Sequence, residues 1–179
     1  MPCTELVCRL QENDGFLQLH LPALQSLQVS APYWKTGILH VNQDSFSDAA
    51  NLTSLSFDYG LTLRFLPEGF TGLSTLNMMM CGLASIPAAV GAALAGSLTH
   101  LALPYNDDLQ LADADVATLL ALRKLQTLDL RKTSLENKLQ WSPRSLQHLV
   151  ELPVAFLANH GHKLALRLLD DDYDSDEDA

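Results

Sequence analysis

A chain of 179 residues, 47% of them apolar, is long enough for one domain with a real core and too apolar to be disordered throughout. The net charge of −10 is concentrated: from Asp170 onward stand seven acidic residues and no basic one, while the rest carries 14 acidic against 11 basic residues, a net of −3. That body has no basic patch to invite nucleic acid, and no apolar run approaches the roughly 20 residues needed to cross a bilayer. Three cysteines, Cys3, Cys8 and Cys81, are too sparse for a disulfide framework and fit a reducing compartment. Met1 to Asn13 lacks the basic head and apolar run of a secretory signal. The expectation is a cytoplasmic protein, unless the chain is a fragment of a longer one.

In chain order, Leu6, Val7 and Leu10 fall at spacings of three and four, which predicts a short amphipathic helix over residues 3–11. Phe16 to Leu21 alternates, with Leu17, Leu19 and Leu21 on one face, which predicts a strand. A pattern then starts that governs the rest. Leu125, Leu128, Leu130 and Leu135, with Thr133 between the last two, follow L-x-x-L-x-L-x-x-N/C-x-L. Leu73, Leu76, Met78, Cys81 and Leu83 follow it too, and so do Leu98, Leu101, Leu103 and Asn106. Leu52, Leu55 and Phe57 match with Gly60 at the N/C place; Leu24, Leu27 and Val29 match more weakly; Leu146 and Leu149 start a last, poor copy. The starts at 24, 52, 73, 98, 125 and 146 are spaced by 28, 21, 25, 27 and 21 residues. Period-two triplets recurring in phase argue for strands, where a helical bundle would show a period of 3.6.

Over residues 24–155 the chain thus resembles the leucine-rich-repeat family, in its intracellular, plant- or alga-like irregular form. The resemblance implies an α/β solenoid: a curved parallel sheet on the concave face, with turns and short helices on the convex face. Residues 1–23 become an N-terminal cap, since a first repeat would otherwise leave its leucine face open to water. Residues 156–169 become a C-terminal cap, with Leu164, Leu166 and Leu168 in it, and residues 170–179 a disordered acidic tail. Between the strands, Ile38, Leu39 and Val41 predict an extra extended piece on the outer side. Leu-Pro in Leu66–Pro67 and Ile-Pro in Ile86–Pro87 predict extended returns, followed by one apolar turn over Val90 to Leu94. Asp113 or Asp115 is placed to cap a helix carrying Val116, Leu119, Leu120 and Leu122.

In such a repeat, places four and six point into the core, and places three, five, seven and eight point out. Place three holds Ser26, Ser54, Thr75, His100, Thr127 and His148; place five holds Gln28, Ser56, Asn77, Ala102, Asp129 and Val150. Places seven and eight include Asp58 and Tyr59, Met79 and Met80, Pro104 and Tyr105, and Arg131 and Lys132. Tyr59, Met80 and Tyr105 recur at one place in consecutive repeats, about 4.8 Å apart from strand to strand, so they should touch. Clustered large side chains in the open mark binding surfaces, and tyrosine and methionine suit them. Asp58, Tyr59, Met79, Met80, Tyr105, Arg131 and Lys132 are therefore the candidate site for a protein or peptide. Packing of the same side chains on each other, or under a loop, stays open beside that reading.

Catalytic and metal chemistry find little footing. Cys3, Cys8 and His20 match no compact zinc spacing, and His160-Gly-His162 reads as a solvated turn. Asp107, Asp108, Asp113 and Asp115 read as turn and cap residues, and neither a phosphate loop nor a nucleophile elbow occurs. Cys81, at the N/C place, reads as a small buried group and no reactive thiol. Ser175, before Asp176, Glu177 and Asp178, resembles an acidic-directed kinase target, beside the plainer reading of a solubilising tail. The expectation is a monomeric, non-enzymatic interaction module without cofactor, binding a protein or peptide on its concave face, with neither nucleic acid nor membrane as partner. The alternative is the recognition fragment of a larger receptor, ligase adaptor or ciliary (axonemal) protein, with the cilium as the second location.

Overall fold

The computed structural model describes residues 3–9, 14–16, 22–31, 37–40, 50–59, 61–63, 72–133 and 143–168. Among these residues ten strands and three helices stand in chain order: β1 (Glu5–Arg9), β2 (Asp14–Phe16), β3 (Ser26–Ser30), β4 (Gly37–His40), β5 (Ser54–Asp58), β6 (Leu61–Leu63), β7 (Thr75–Met79), α1 (Ala88–Leu94), β8 (His100–Ala102), α2 (Asp113–Ala121), β9 (Thr127–Asp129), α3 (Pro143–His160) and β10 (Ala165–Arg167). Seven strands form one parallel sheet in the order β1-β3-β5-β7-β8-β9-β10, and β2-β4-β6 form a second parallel sheet. The early turns of chain alternate between the two sheets. In the later turns helices take over the return side. The arrangement is α/β and compatible with a solenoid.

The register follows the leucine spacing. Leu6, Leu27, Leu55, Leu76, Leu101, Leu128 and Leu166 pair in one row across the main sheet. Cys8, Val29, Phe57 and Met78 form the next inward row. The leucines that precede β3, β5, β7, β8 and β9, namely Leu24, Leu52, Leu73, Leu98 and Leu125, are fully buried. Strand entry is equally regular. Each carbonyl of Thr4, Gln25, Thr53, Ser74 and Thr99 accepts two successive N–H groups from the next turn of chain, at 2.8–3.1 Å. The hydroxyls of Thr53, Ser74 and Thr99 donate to the same carbonyl series.

The places that follow β7, β8 and β9 are sealed by the small groups Cys81, Asn106 and Thr133. Asn106 is fully buried; its Oδ1 accepts from the N–H groups of Cys81 and Leu83, and its Nδ2 donates to the carbonyls of Met78 and Leu103. Thr133 does a smaller part of this through Oγ1 to Leu130 O. Cys81, 1% exposed, places its thiol against the carbonyls of Phe57 and Met79. Burial, with the Asp58 carboxylate adding to it, pushes that thiol up to about 12, consistent with the inert cysteine expected at that place.

Three expectations need correction. Residues 5–9 are a strand, not a helix: Leu6 and Cys8 lean inward while Glu5, Val7 and Arg9 are exposed, and pairing with β3 makes β1 the first strand of the main sheet. Residue 146 starts no strand. Pro143 opens α3, a helix in which His148 and Val150 lie, and the last strand comes later at β10 with Leu166 in the leucine row. His160 and His162 are half-buried rather than a solvated turn. Their Nε2 atoms lie 2.9 and 2.7 Å from the carbonyls of Leu120 and Leu125, and their rings stack 6.0 Å apart. They tie the end of α3 to the end of α2 and the approach to β9.

Other expectations hold. Ile38 and Leu39 lie in β4, the middle strand of the second sheet, and α1 begins directly after Pro87. Helix α2 runs from Asp113, with Ala112 at its cap; the carboxylate of Asp115 accepts from Ala112 N–H at 2.8 Å and from Ile86 N–H at 2.6 Å. His20, the alternation over residues 17–21, Val41, Gly60, the return at residues 64–71, Leu135 and the tail with Ser175 lie outside the described residues.

Candidate functional site

The outward positions of the main sheet form an open polar face. Ser26, Ser54, Ser56, Thr75, Asn77, Ala102 and Thr127 are half-buried, and Gln28 and His100 are exposed. At the exit of the strands the chain must turn from the sheet into the return. The turn is made in the same way four times, by Tyr59, Met80, Tyr105 and Lys132, with φ of 59°, 56°, 59° and 52°. These are left-handed backbone angles, which cost a residue with a Cβ roughly 1–2 kcal/mol. The first three turns are each held by the next one: Tyr59 N–H donates to Met79 O, Met80 N–H to Pro104 O and Tyr105 N–H to Arg131 O, at 3.0–3.1 Å. The chain carries neither glycine nor asparagine at these places, where either would relieve the angle. It carries large side chains and leaves them in the open: Tyr59 is 39% exposed, Met80 43% and Tyr105 44%.

The structure therefore brings Tyr59, Met80 and Tyr105 into one row on adjacent turns of chain, with Met79 half-buried beside them. Lys132 is the fourth member by backbone angle and is half-buried. The charged flanks sit differently from the expected open pair. Asp58 is 3% exposed, and its carboxylate accepts from Gln28 Nε2 at 2.5 Å, Ser56 Oγ at 2.9 Å and Asn77 Nδ2 at 3.1 Å. Arg131 lies back along its own strand in a two-pronged pair with Asp129, 2.7 Å at the shortest contact. Sequence reasoning missed the buried network around Asp58, because it treated every outward place as equally open.

Two other features lie elsewhere. On the return side, Asp113 accepts from Arg144 and lies 2.8 Å from His148 Nε2, so that α2 and α3 are joined. The hydrogen bond from Arg144, then that from His148, holds the Asp113 carboxyl below its usual range. The outer face of α3 exposes Val150, Val154 and Leu157, four and three residues apart on one stripe. A shallow groove of about 660 Å³ lies where the three helices end, lined by Ala95, Gly96, Leu120, Ala121, Arg123, Asn159 and His160. Among the described residues there is no group of three histidine, cysteine or acidic side chains placed to hold a metal ion, and no helix is long and apolar enough to cross a membrane. Cys3 is exposed and Cys8 half-buried in β1.

Comparison of the chain with models of protein families, with curated proteins and with solved structures finds no match.

Proposed function

We propose that this chain is a leucine-rich-repeat interaction module of non-enzymatic kind, which binds a protein or peptide on the open face of its main sheet along the row Tyr59–Met80–Tyr105. One observation carries the reading. Three consecutive turns place a large, partly apolar side chain in a strained left-handed conformation and leave it exposed. Stability alone would favour glycine or asparagine there, and shielding from water would favour a small polar residue. A binding surface accounts for both departures, since tyrosine brings area with few rotors and methionine adapts to an irregular partner. The inward leucine rows and the Asn106 seal support the family assignment. The location proposed is the cytoplasm.

The exposed stripe of α3 is the competing surface, so the test compares the two. Partners captured from cell extract and quantified by mass spectrometry should be lost with Tyr59→Ala/Tyr105→Ala and retained with Val150→Ser/Val154→Ser/Leu157→Ser, all variants melting within a few degrees of wild type. The reverse pattern would place the binding surface on α3 and rule out the row on the main sheet.

A further inference from the structure

Asp58 is a buried carboxylate. Its donors, Gln28, Ser56 and Asn77, are all neutral, and among the described residues no cation lies against it. The acidic residue at the other end of the same face differs: Asp129 is already held by the Arg131 guanidinium. Withdrawing a carboxylate from water without a cation is costly, and neutral hydrogen bonds offset only part of that cost. The charge is felt nearby, since Asp58 is one cause of the raised Cys81 thiol.

Asn77 sharpens the point. Its Nδ2 donates both to Ser56 Oγ and to Asp58 Oδ1, which turns its own Oδ1 away. That oxygen is buried and, among the described residues, has no hydrogen-bond partner. Rotating the amide would set an oxygen against the carboxylate, so the orphan acceptor follows from the presence of Asp58. Two acceptors on one patch thus lack a donor of matching strength. Gln28 is the exposed member of the network, and its amide caps Asp58 Oδ2. Tyr59 follows Asp58 in the chain and stands out at the rim.

We infer that Asp58 anchors a basic side chain, arginine or lysine, from an extended partner segment lying along the Tyr59–Met80–Tyr105 row, with the Gln28 amide as the cover that this side chain displaces. The inference rests on the proposed binding function and names the partner's chemistry. A guanidinium or ammonium group makes charge-assisted hydrogen bonds roughly twice as strong as those of a neutral amide, so the exchange for Gln28 is favourable. An adjacent tyrosine ring suits the aliphatic stem and the cation of such a side chain.

The test selects a phage-displayed random peptide library on the full chain and measures the selected peptides by titration. Enriched peptides should share one arginine or lysine. Replacing it by glutamine in the peptide, or Asp58→Asn in the protein, should weaken binding by about tenfold or more, as loss of a charge-assisted bond implies. Gln28→Ala removes only an exposed cover and should tighten binding; it keeps the test decisive if Asp58→Asn fails to fold. Peptides that require Tyr59 and Tyr105 but show no basic preference, and that bind Gln28→Ala no better than wild type, overturn the anchor and leave the binding face standing. Peptides indifferent to Tyr59→Ala/Tyr105→Ala, or a selection that yields none, overturn both.

Discussion

At the scale of single residues, two kinds of position behave in opposite ways. Asn106 has no exposed surface and satisfies backbone groups of two neighbouring turns of chain at once. Asn106→Ala strands the N–H groups of Cys81 and Leu83 and two carbonyls in the core. At about 1–3 kcal/mol per buried orphan, partly relaxed, the expected loss is about 3–5 kcal/mol in urea denaturation. Tyr105 is the reverse case. Tyr105→Gly relieves a left-handed φ but frees the unfolded chain, two effects of similar size and opposite sign. Its stability should stay within about 1 kcal/mol of wild type, while binding of any partner on this face is lost. A large fall in stability would show that Tyr105 serves packing. Cys81 offers a third check: with its thiol pushed up to about 12, it should resist a thiol reagent at pH 8 in the folded protein while exposed Cys3 reacts. The N/C place of Asn106 and Cys81 was legible in the sequence because its spacing from the leucines is fixed. The strain at Tyr59, Met80 and Tyr105 was not, because their residue types give no sign of a left-handed angle.

At the scale of elements, the helices pack closely where the sequence has least side chain. A Cβ on Gly91 in α1 would meet the Thr118 carbonyl oxygen at 3.1 Å and its Cα at 3.2 Å in α2. Those are backbone atoms, and they yield only if the helices part. Gly91→Ala should therefore cost about 1–3 kcal/mol, as overpacking does, despite alanine's better helix propensity; thermal melting checks it. The α2–α3 junction adds a dependence on pH. Asp113 has its folded pKa below its unfolded one, through Arg144 and His148. Its contribution is therefore present above the ordinary carboxylate range and lost as pH falls through the lower, folded value. The pair is exposed and the effect small, so Asp113→Asn should be slightly less stable than wild type near neutral pH, and the difference should vanish on a shallower acid limb of the stability profile. Helix α2 was readable from its acidic first turn and leucine spacing. Strand β1 was misread because three- and four-residue spacing over so short a run is equally compatible with alternate inward residues, and only pairing with β3 distinguishes them. Strand β10 was missed as a repeat because Lys163 stands where the pattern wants leucine.

At the scale of the whole molecule, stability is shared among successive turns of chain, each resting on its neighbours through rows of leucine. Leu101 and Leu128 lie next to each other in the same row, nearly or fully buried. Leu128→Ala should cost about 2–5 kcal/mol, a large part of a domain's roughly 5–15 kcal/mol. Binding by that variant should weaken only as far as the folded fraction falls, which separates framework from surface when its denaturation curve is compared with that of Tyr59→Ala/Tyr105→Ala.

The sequence by itself determined the period, the parallel register and the inward rows, because leucine at fixed spacing can be hidden from water in only one phase of a strand. It also marked out the row Tyr59, Met80 and Tyr105 as neighbours. The tertiary structure alone decided which outward residues are open. Asp58 and Asp129 share an outward face in the pattern, yet one is buried among neutral donors and the other is paired with Arg131. The difference depends on which side chains adjacent turns bring within hydrogen-bond reach, such as Gln28 and Asn77 from either side of Asp58. Those contacts span 30 and 19 residues of chain, and no local pattern encodes them.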